Sequence, residues 1–127
     1  MARIPYDVKR GVYHILLRNG DMKFDEFYAK TFFISGTQKK RRVMSAIKNI
    51  EGVGIEDGTV KLYPKKCPLW LQYMLYVKEK KSSSNKEISY TFNKVSDRIY
   101  NEMHRYSEYL NITKVGNEIY YEYTGGR

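Results

Sequence analysis

With 127 residues, 42% of them hydrophobic, the chain is long enough to bury a core and too apolar for wholesale disorder. A single cysteine excludes a disulfide framework, and no apolar run is long enough for a membrane span, so we expect a cytoplasmic protein without a membrane partner. The formal net charge of +9 suits a polyanion, and residues 1–66 carry +7 of it against +2 for residues 67–127.

The first two predicted elements are helices. Pro5 favours a helix start, and the apolar spacing over Tyr6–Arg18 continues to the stop signal Asn19-Gly20. After a short extended segment, Asp25 is placed to cap a second helix that ends near residue 33. Gly36 then permits the positive φ of a sharp turn between helices.

A third helix is predicted over Thr37–Ile50, TQKKRRVMSAIKNI, with Thr37 as its N-cap. A stripe at helical spacing is formed by Val43, Ala46, Ile47 and Ile50. The opposite face carries Gln38, Arg41, Ser45, Lys48 and Asn49, with Arg42 at its edge. Cations of this kind bind phosphates, and Arg, Gln, Asn and Ser read base edges. A charge run alone also fits a solvated helix face. The surrounding elements therefore decide between a nucleic-acid-binding face and a solvated one.

A β-hairpin follows the basic helix, because apolar residues alternate on both sides of Glu56-Asp57-Gly58 and Asp-Gly is a strong hairpin signal. The order helix, short extended piece, helix, tight turn, basic helix, hairpin resembles the winged helix-turn-helix family of DNA-binding domains. The resemblance covers about residues 5–66. Its carrying stretches are DEFYAKTFF, ISGT, QKKRRVMSAIKNI and VGIEDGTVKLY.

The resemblance implies that the helix after the turn enters the major groove of double-stranded DNA. The candidates for base-edge contacts are Gln38, Arg41, Arg42, Ser45 and Asn49. The candidates for phosphate contacts are Thr37, Lys39, Lys40 and Lys48. The wing tip is Glu56-Asp57, whose carboxylates would repel phosphates, so the wing contacts are assigned to Lys61, Lys65 and Lys66.

The second half opens at a predicted boundary between Pro64 and Pro68. The run LWLQYMLYVKEKK after Pro68 is apolar on nearly every side, so a helix there must be buried on most faces. We therefore expect part of it to contact a second subunit of a homodimer. The expected dimer contacts are Leu69, Trp70, Tyr73, Met74 and Val77.

The remaining elements are a polar loop over Lys78–Lys86, then a segment from Ile88 that fits helix and strand spacing equally. Ser96-Asp97 resembles the start of a long helix whose apolar stripe reaches Leu110. A second hairpin is predicted around Gly116-Asn117, because apolar and polar residues alternate on both sides.

The order helix, short element, helix, hairpin thus occurs twice. We expect an α+β, mainly helical chain with two small β-hairpins and a winged helix-turn-helix DNA-binding unit at residues 1–66. Residues 67–127 form either a second winged-helix unit in tandem or a helical dimerisation extension. The composition, rich in Tyr, Lys and Ile, resembles that of small proteins of thermophilic archaea and their viruses.

Catalytic constellations are not predicted, since neither histidine has a carboxylate or thiol at a diagnostic spacing. We expect no enzyme activity, metal or cofactor. The predicted function is that of a dimeric, sequence-specific DNA-binding protein that regulates transcription. The alternatives are an architectural or protein-interaction winged-helix module without base readout, or a small nuclease whose acidic ligands assemble only in three dimensions.

Overall fold

The structure is a computed structural model that describes residues 6–125; Pro5, which entered the helix prediction, lies outside this range. The chain divides into two compact units, residues 1–68 and residues 69–127. The described residues form six α-helices and two three-stranded antiparallel sheets, which confirms the predicted α+β class. Within residues 6–125, none of the helices combines the length and the apolar character that crossing a membrane requires.

The first unit contains three helices and one sheet. In chain order these are α1 (Tyr6–Asn19), β1 (Met22–Lys23), α2 (Phe24–Ala29), α3 (Lys39–Asn49), β2 (Val53–Glu56) and β3 (Thr59–Leu62), followed by a 3-10 turn at Pro64–Lys66. The sheet order is β1-β3-β2, so the second strand of the hairpin is central. Met22 lies opposite Val60 in this sheet.

The first helix and the first hairpin confirm their predictions. The helix ends where Gly20 takes a φ of +80° and donates its N–H to the Leu16 carbonyl at 2.8 Å. In the hairpin, Glu56 pairs with Thr59. Asp57 and Gly58 between them have φ angles of 52° and 75°, the two positive values that a type I′ turn requires.

The connection between α2 and α3 differs from its prediction. Asp25 is not a cap, because α2 begins at Phe24 and ends already at Ala29. Beyond it the buried Thr31 hydroxyl donates to the Tyr28 carbonyl at 2.7 Å, a local bond that competes with continuation of the helix. Thr37 is not the N-cap of α3 either; Gln38 occupies that position, without a side-chain capping bond.

Gly11 explains how this connection meets the first helix. A Cβ atom at Gly11 would lie 2.8 Å from Cζ of Phe33, so the Phe33 ring packs directly on the helix backbone. Glycine weakens a helix interior by roughly 1 kcal/mol relative to alanine, and here it allows the close approach. Near the far end of α3, the Tyr13 hydroxyl donates to the Glu51 carbonyl at 2.6 Å. The two contacts hold the segments before and after α3 against α1.

The second unit has the same element order. It comprises α4 (Leu69–Lys80), β4 (Ser82–Ser84), α5 (Asn85–Phe92), α6 (Ser96–Arg105), a 3-10 turn (Ser107–Tyr109), β5 (Leu110–Val115) and β6 (Glu118–Tyr123). The sheet order is β4-β6-β5, so here too the short strand pairs with the second strand of the hairpin. The buried pair Ser83 and Tyr121 matches Met22 and Val60 of the first unit.

Two predictions for the second unit are wrong. Lys78–Lys86 is not a loop, because α4 continues to Lys80 and the serines pair with β6. Ser84 then caps α5, its side-chain oxygen accepting the Glu87 N–H at 3.0 Å. Leu110 does not belong to the preceding helix but begins β5. The hairpin turn at Gly116-Asn117 lies where it was predicted.

Candidate nucleic-acid interface

The basic helix α3 is anchored by one apolar face and presents the other to solvent. Val43 and Ile47 are fully buried, Ala46 is 1% exposed, and α3 packs against β2. At 100° per residue, Arg41 and Lys48 lie opposite this stripe, and both side chains are exposed. The predicted separation into a buried and a polar face is confirmed.

Two of the four consecutive cations are used inside the first unit. Arg42 donates from Nη1 to the Ser35 carbonyl at 3.0 Å, which holds the turn before α3. Lys39 places Nζ 4.9 Å from the ring centroid of Tyr28, a cation–π contact between α3 and α2. These two side chains therefore position the helix. No sequence pattern predicted this role, since the partners, the Ser35 carbonyl and the Tyr28 ring, lie outside α3.

The other two cations, Lys40 and Arg41, are exposed, as is Lys48 about two turns further on. Within residues 6–125, the side chains of these three residues take part in no hydrogen bond and no ion pair, whereas Lys9 pairs with Glu51 and Lys61 pairs with Glu56. Their charges are available to an external anion.

The start of α3 concentrates positive potential. Its first turn contains no acidic residue, and its N-cap makes no side-chain hydrogen bond to the free backbone N–H groups. Cations at this end oppose the helix dipole, at a cost of about 0.3–1 kcal/mol each at a surface. An anion bound at this end would reverse the penalty, because it would interact with the dipole and the cations together.

The polar candidates on α3 are partly engaged with the helix itself. Asn49 donates from Nδ2 to the Ser45 carbonyl at 2.7 Å and approaches its hydroxyl at 3.3 Å. Both bonds are at the surface, so a polar group of a bound molecule can replace them. Thr37 and Gln38 are exposed in the turn before the helix. All the predicted α3 residues except Lys39 and Arg42 therefore remain accessible without a competing contact to another element.

The hairpin that was predicted to act as a wing is less basic than the three lysines assigned to it suggest. Lys61 lies 3.9 Å from Glu56, which also accepts a hydrogen bond from the Tyr63 hydroxyl at 3.3 Å. Lys65 and Lys66 are exposed on the 3-10 turn after β3, where Lys66 lies 5.7 Å above the Tyr63 ring. Glu56 therefore offsets the charge of Lys61, and Lys65 and Lys66 are the accessible cations among the three.

The expected dimer contacts on α4 need correction. Tyr73, Met74 and Val77 have no exposed surface in the single chain, so a second subunit cannot pack on them. Leu69 and Trp70 are half-buried, and the Trp70 ring stacks on Tyr106 with centroids 4.0 Å apart. The apolar surface that suggested a dimer is largely covered by the chain's own residues.

Helix α6 is the counterpart of α3 in the second unit, and its exposed face differs in charge. Asp97 lies in its first turn, where a negative charge suits the helix dipole. His104 places Nδ1 2.9 Å from the Tyr100 carbonyl, and the two rings are 3.9 Å apart. No cluster of cations comparable to that of α3 is found on this helix.

The one cysteine of the chain, Cys67, is buried. Cys67 is 6% exposed, and burial, with a smaller contribution from Glu51, raises its pKa to about 11, so it carries no thiolate at neutral pH. In the part of the chain from residue 6 to residue 125, no three His, Cys, Asp or Glu side chains group in a way that could hold a metal ion.

Comparisons with known proteins give no relative: no family model, curated protein or solved structure matches the chain. The interface therefore rests on α3, on the contacts that hold it and on the distribution of charge around it.

Proposed function

We propose that the first unit is a winged helix-turn-helix domain that binds double-stranded DNA, with α3 in the major groove, and that the protein regulates transcription from a specific site. The helix order and the sheet order β1-β3-β2 support this fold. One observation carries the proposal: the outward face of α3 holds three cations without a partner in residues 6–125, directly behind a fully buried apolar stripe.

From the contacts of α3 we assign different roles to its basic residues. Arg41 projects opposite Val43 and Ile47, so it is the residue we place at a base edge, where a guanidinium binds guanine in a bidentate manner. Lys40 and Lys48 bind phosphates on either side. Arg42 and Lys39 keep their intramolecular contacts and set the angle at which the helix enters the groove.

We propose further that residues 69–125 form a second unit of the same fold that does not read DNA through its third helix. Its element order and its sheet order support the repeat. The mixed charge and the aromatic pair on α6 support a role outside the major groove. The net charge agrees, because residues 69–127 contribute only +2.

An architectural role without base readout is the second candidate. The observation that favours it is the engagement of Asn49 with Ser45, which occupies two of the side chains that base reading needs. Under this alternative the cations of α3 bind phosphates of any sequence, and affinity depends steeply on salt without a preferred site.

The two candidates are separated by selecting duplexes from a random pool with the full chain and titrating the enriched sequence with salt. If the protein is a sequence-specific regulator, one motif should be enriched. Arg41→Ala should then lower the discrimination between the selected and random duplexes by about 1–3 kcal/mol. Lys48→Ala is the matched control, because loss of a phosphate contact weakens the selected and random duplexes alike. Steep salt dependence without any motif would favour the architectural role, and no binding at low salt would contradict both.

A further inference from the structure

Among the described residues 6–125, the longest edge strand is β5 of the second unit. It lies at the edge of the sheet order β4-β6-β5 and has six residues, whereas β2, the edge strand of the first unit's hairpin, has four. Asn111, Thr113, Lys114 and Val115 are exposed along it. Within residues 6–125 no strand pairs with its outer edge.

This edge lacks the features that usually prevent pairing with another strand. It contains no proline or glycine, and its register against β6 runs one to one from Leu110 opposite Tyr123 to Val115 opposite Glu118, without a bulge. Lys114 is its only charge. Native edge strands are normally shortened, bulged or heavily charged, so an unprotected edge of this length indicates a partner strand.

The register shows which backbone groups point outward. Thr124 donates its N–H to the Tyr109 carbonyl at 2.8 Å, which makes that pair a hydrogen-bonded one. Because hydrogen-bonded pairs alternate in an antiparallel ladder, Asn111 and Thr113 also bond to β6. The intervening residues of β5 direct their N–H and C=O groups away from β6, toward the open edge of the sheet. They are Leu110, Ile112 and Lys114.

We propose that a second copy of this chain pairs with β5, antiparallel and about a two-fold axis at Ile112, so that two sheets join into one. In this register Ile112 meets its own copy, and Leu110 meets Lys114 of the second copy. Every outward backbone group then bonds to an outward group, and the single charge of the strand lies opposite an apolar residue.

The charge distribution favours a second copy joined through this unit. Residues 1–68 carry +7 and residues 69–127 carry +2, so pairing through β5 uses the less repulsive half of each chain. Strand addition depends on main-chain hydrogen bonds, so it does not require the apolar surface that α4 buries within the chain. The proposal does not depend on DNA binding by α3.

Paired charge variants test both the edge and its register. In the proposed dimer, Asn111 lies opposite Thr113 of the second copy, and both are exposed residues of the outer face. N111K/T113K would place lysines opposite lysines, whereas N111K/T113E would place lysines opposite glutamates. Sedimentation equilibrium of the full chain without DNA measures the dimer, and far-ultraviolet circular dichroism checks that each variant folds.

We expect the wild type to dimerise, N111K/T113K to be mainly monomeric, and N111K/T113E to retain the dimer, with dissociation constants of the two variants about tenfold apart. A wild type that stays monomeric at the highest attainable concentration would overturn the proposal. So would equal dimerisation of both variants, since the contact would then lie elsewhere. Lys40→Ala/Arg41→Ala should dimerise like the wild type, which separates this test from the proposed DNA binding.

Discussion

Helices α3 and α6 occupy the same place in two units of the same element order, yet they present different surfaces. When buried Val43 and Ile47 are aligned with buried Ile99 and Met103, Arg41 corresponds to Asp97. The same alignment places Ser45 with Asn101 and Lys48 with His104. The apolar positions that build the unit are kept in type, while the outward positions change in charge. The fold of each unit is therefore separable from the surface that it presents.

The largest effects on stability should come from substitutions in the buried core of each unit. Phe27 and Ile88 are the fully buried residues of the second helix in each unit. We expect Phe27→Ala to lower the free energy of unfolding by about 3–5 kcal/mol and Ile88→Ala by about 2–5 kcal/mol, because each leaves a cavity. Urea unfolding measures the loss, and hydrogen exchange shows which unit opens.

Tyr90→Ala is the control for this pair, since Tyr90 lies on α5 and is 89% exposed. It should change the free energy of unfolding by less than about 0.5 kcal/mol. If Ile88→Ala cost no more than Tyr90→Ala, the core assigned to the second unit would be wrong.

The stability of the two units should depend differently on pH, because the only cysteine belongs to the first unit. Burial raises the pKa of Cys67 from 9.0 to about 11. The folded state therefore keeps its proton where the unfolded state loses it, and the free energy of unfolding falls as pH rises from 9 to 11, by on the order of 2 kcal/mol. Denaturation by urea at several pH values should show a shallower fall for Cys67→Ala; an identical fall would contradict the assignment.

The residue that follows the first helix is a glycine in one unit and a lysine in the other, so exchanging the two residue types tests the cost of the backbone conformation. Gly20 and Lys81 both follow that helix with positive φ, +80° and +72°. A lysine in this conformation costs about 1 kcal/mol, so Lys81→Gly should raise the melting temperature and Gly20→Lys should lower it. Nothing lies within 4 Å of a Cβ placed at Gly20, so the effect reports the backbone alone. Changes of the same sign in both variants would contradict this explanation.

The smallest effect concerns the helix dipole. Arg41→Asp should stabilise the protein and Asp97→Arg should destabilise it, each by about 0.3–1 kcal/mol, because both residues lie in the first turn of their helices. Thermal unfolding at low and high salt checks this, since screening should remove both effects. If Arg41→Asp were destabilising at low salt, the cost assigned to the basic helix start would be absent.

Sequence patterns predicted the elements whose signals are local. The two hairpin turns were found because Asp57-Gly58 and Gly116-Asn117 are turn sequences between alternating strands. The end of α1 was found because Gly20 follows an apolar stripe. In such places the residues themselves determine the backbone conformation.

Elements that depend on distant partners were missed. Ser82–Ser84 has the composition of a loop and becomes a strand only because β6 lies beside it. The roles of Lys39 and Arg42 were likewise hidden, since their partners, Tyr28 and the Ser35 carbonyl, are brought close by the turn. The basic face itself was predicted from periodicity, but which cations are free depended on tertiary contacts.

We propose that α3, and not α6, binds DNA through its free cations. The most direct measurement is duplex affinity against salt concentration for the wild type, for Lys40→Ala/Arg41→Ala and for the matched variant Arg98→Ala/Arg105→Ala on α6. We expect the slope of log affinity against log salt to fall by about two in the first variant and to stay unchanged in the second. An unchanged slope in Lys40→Ala/Arg41→Ala, or an equal fall in both, would contradict it.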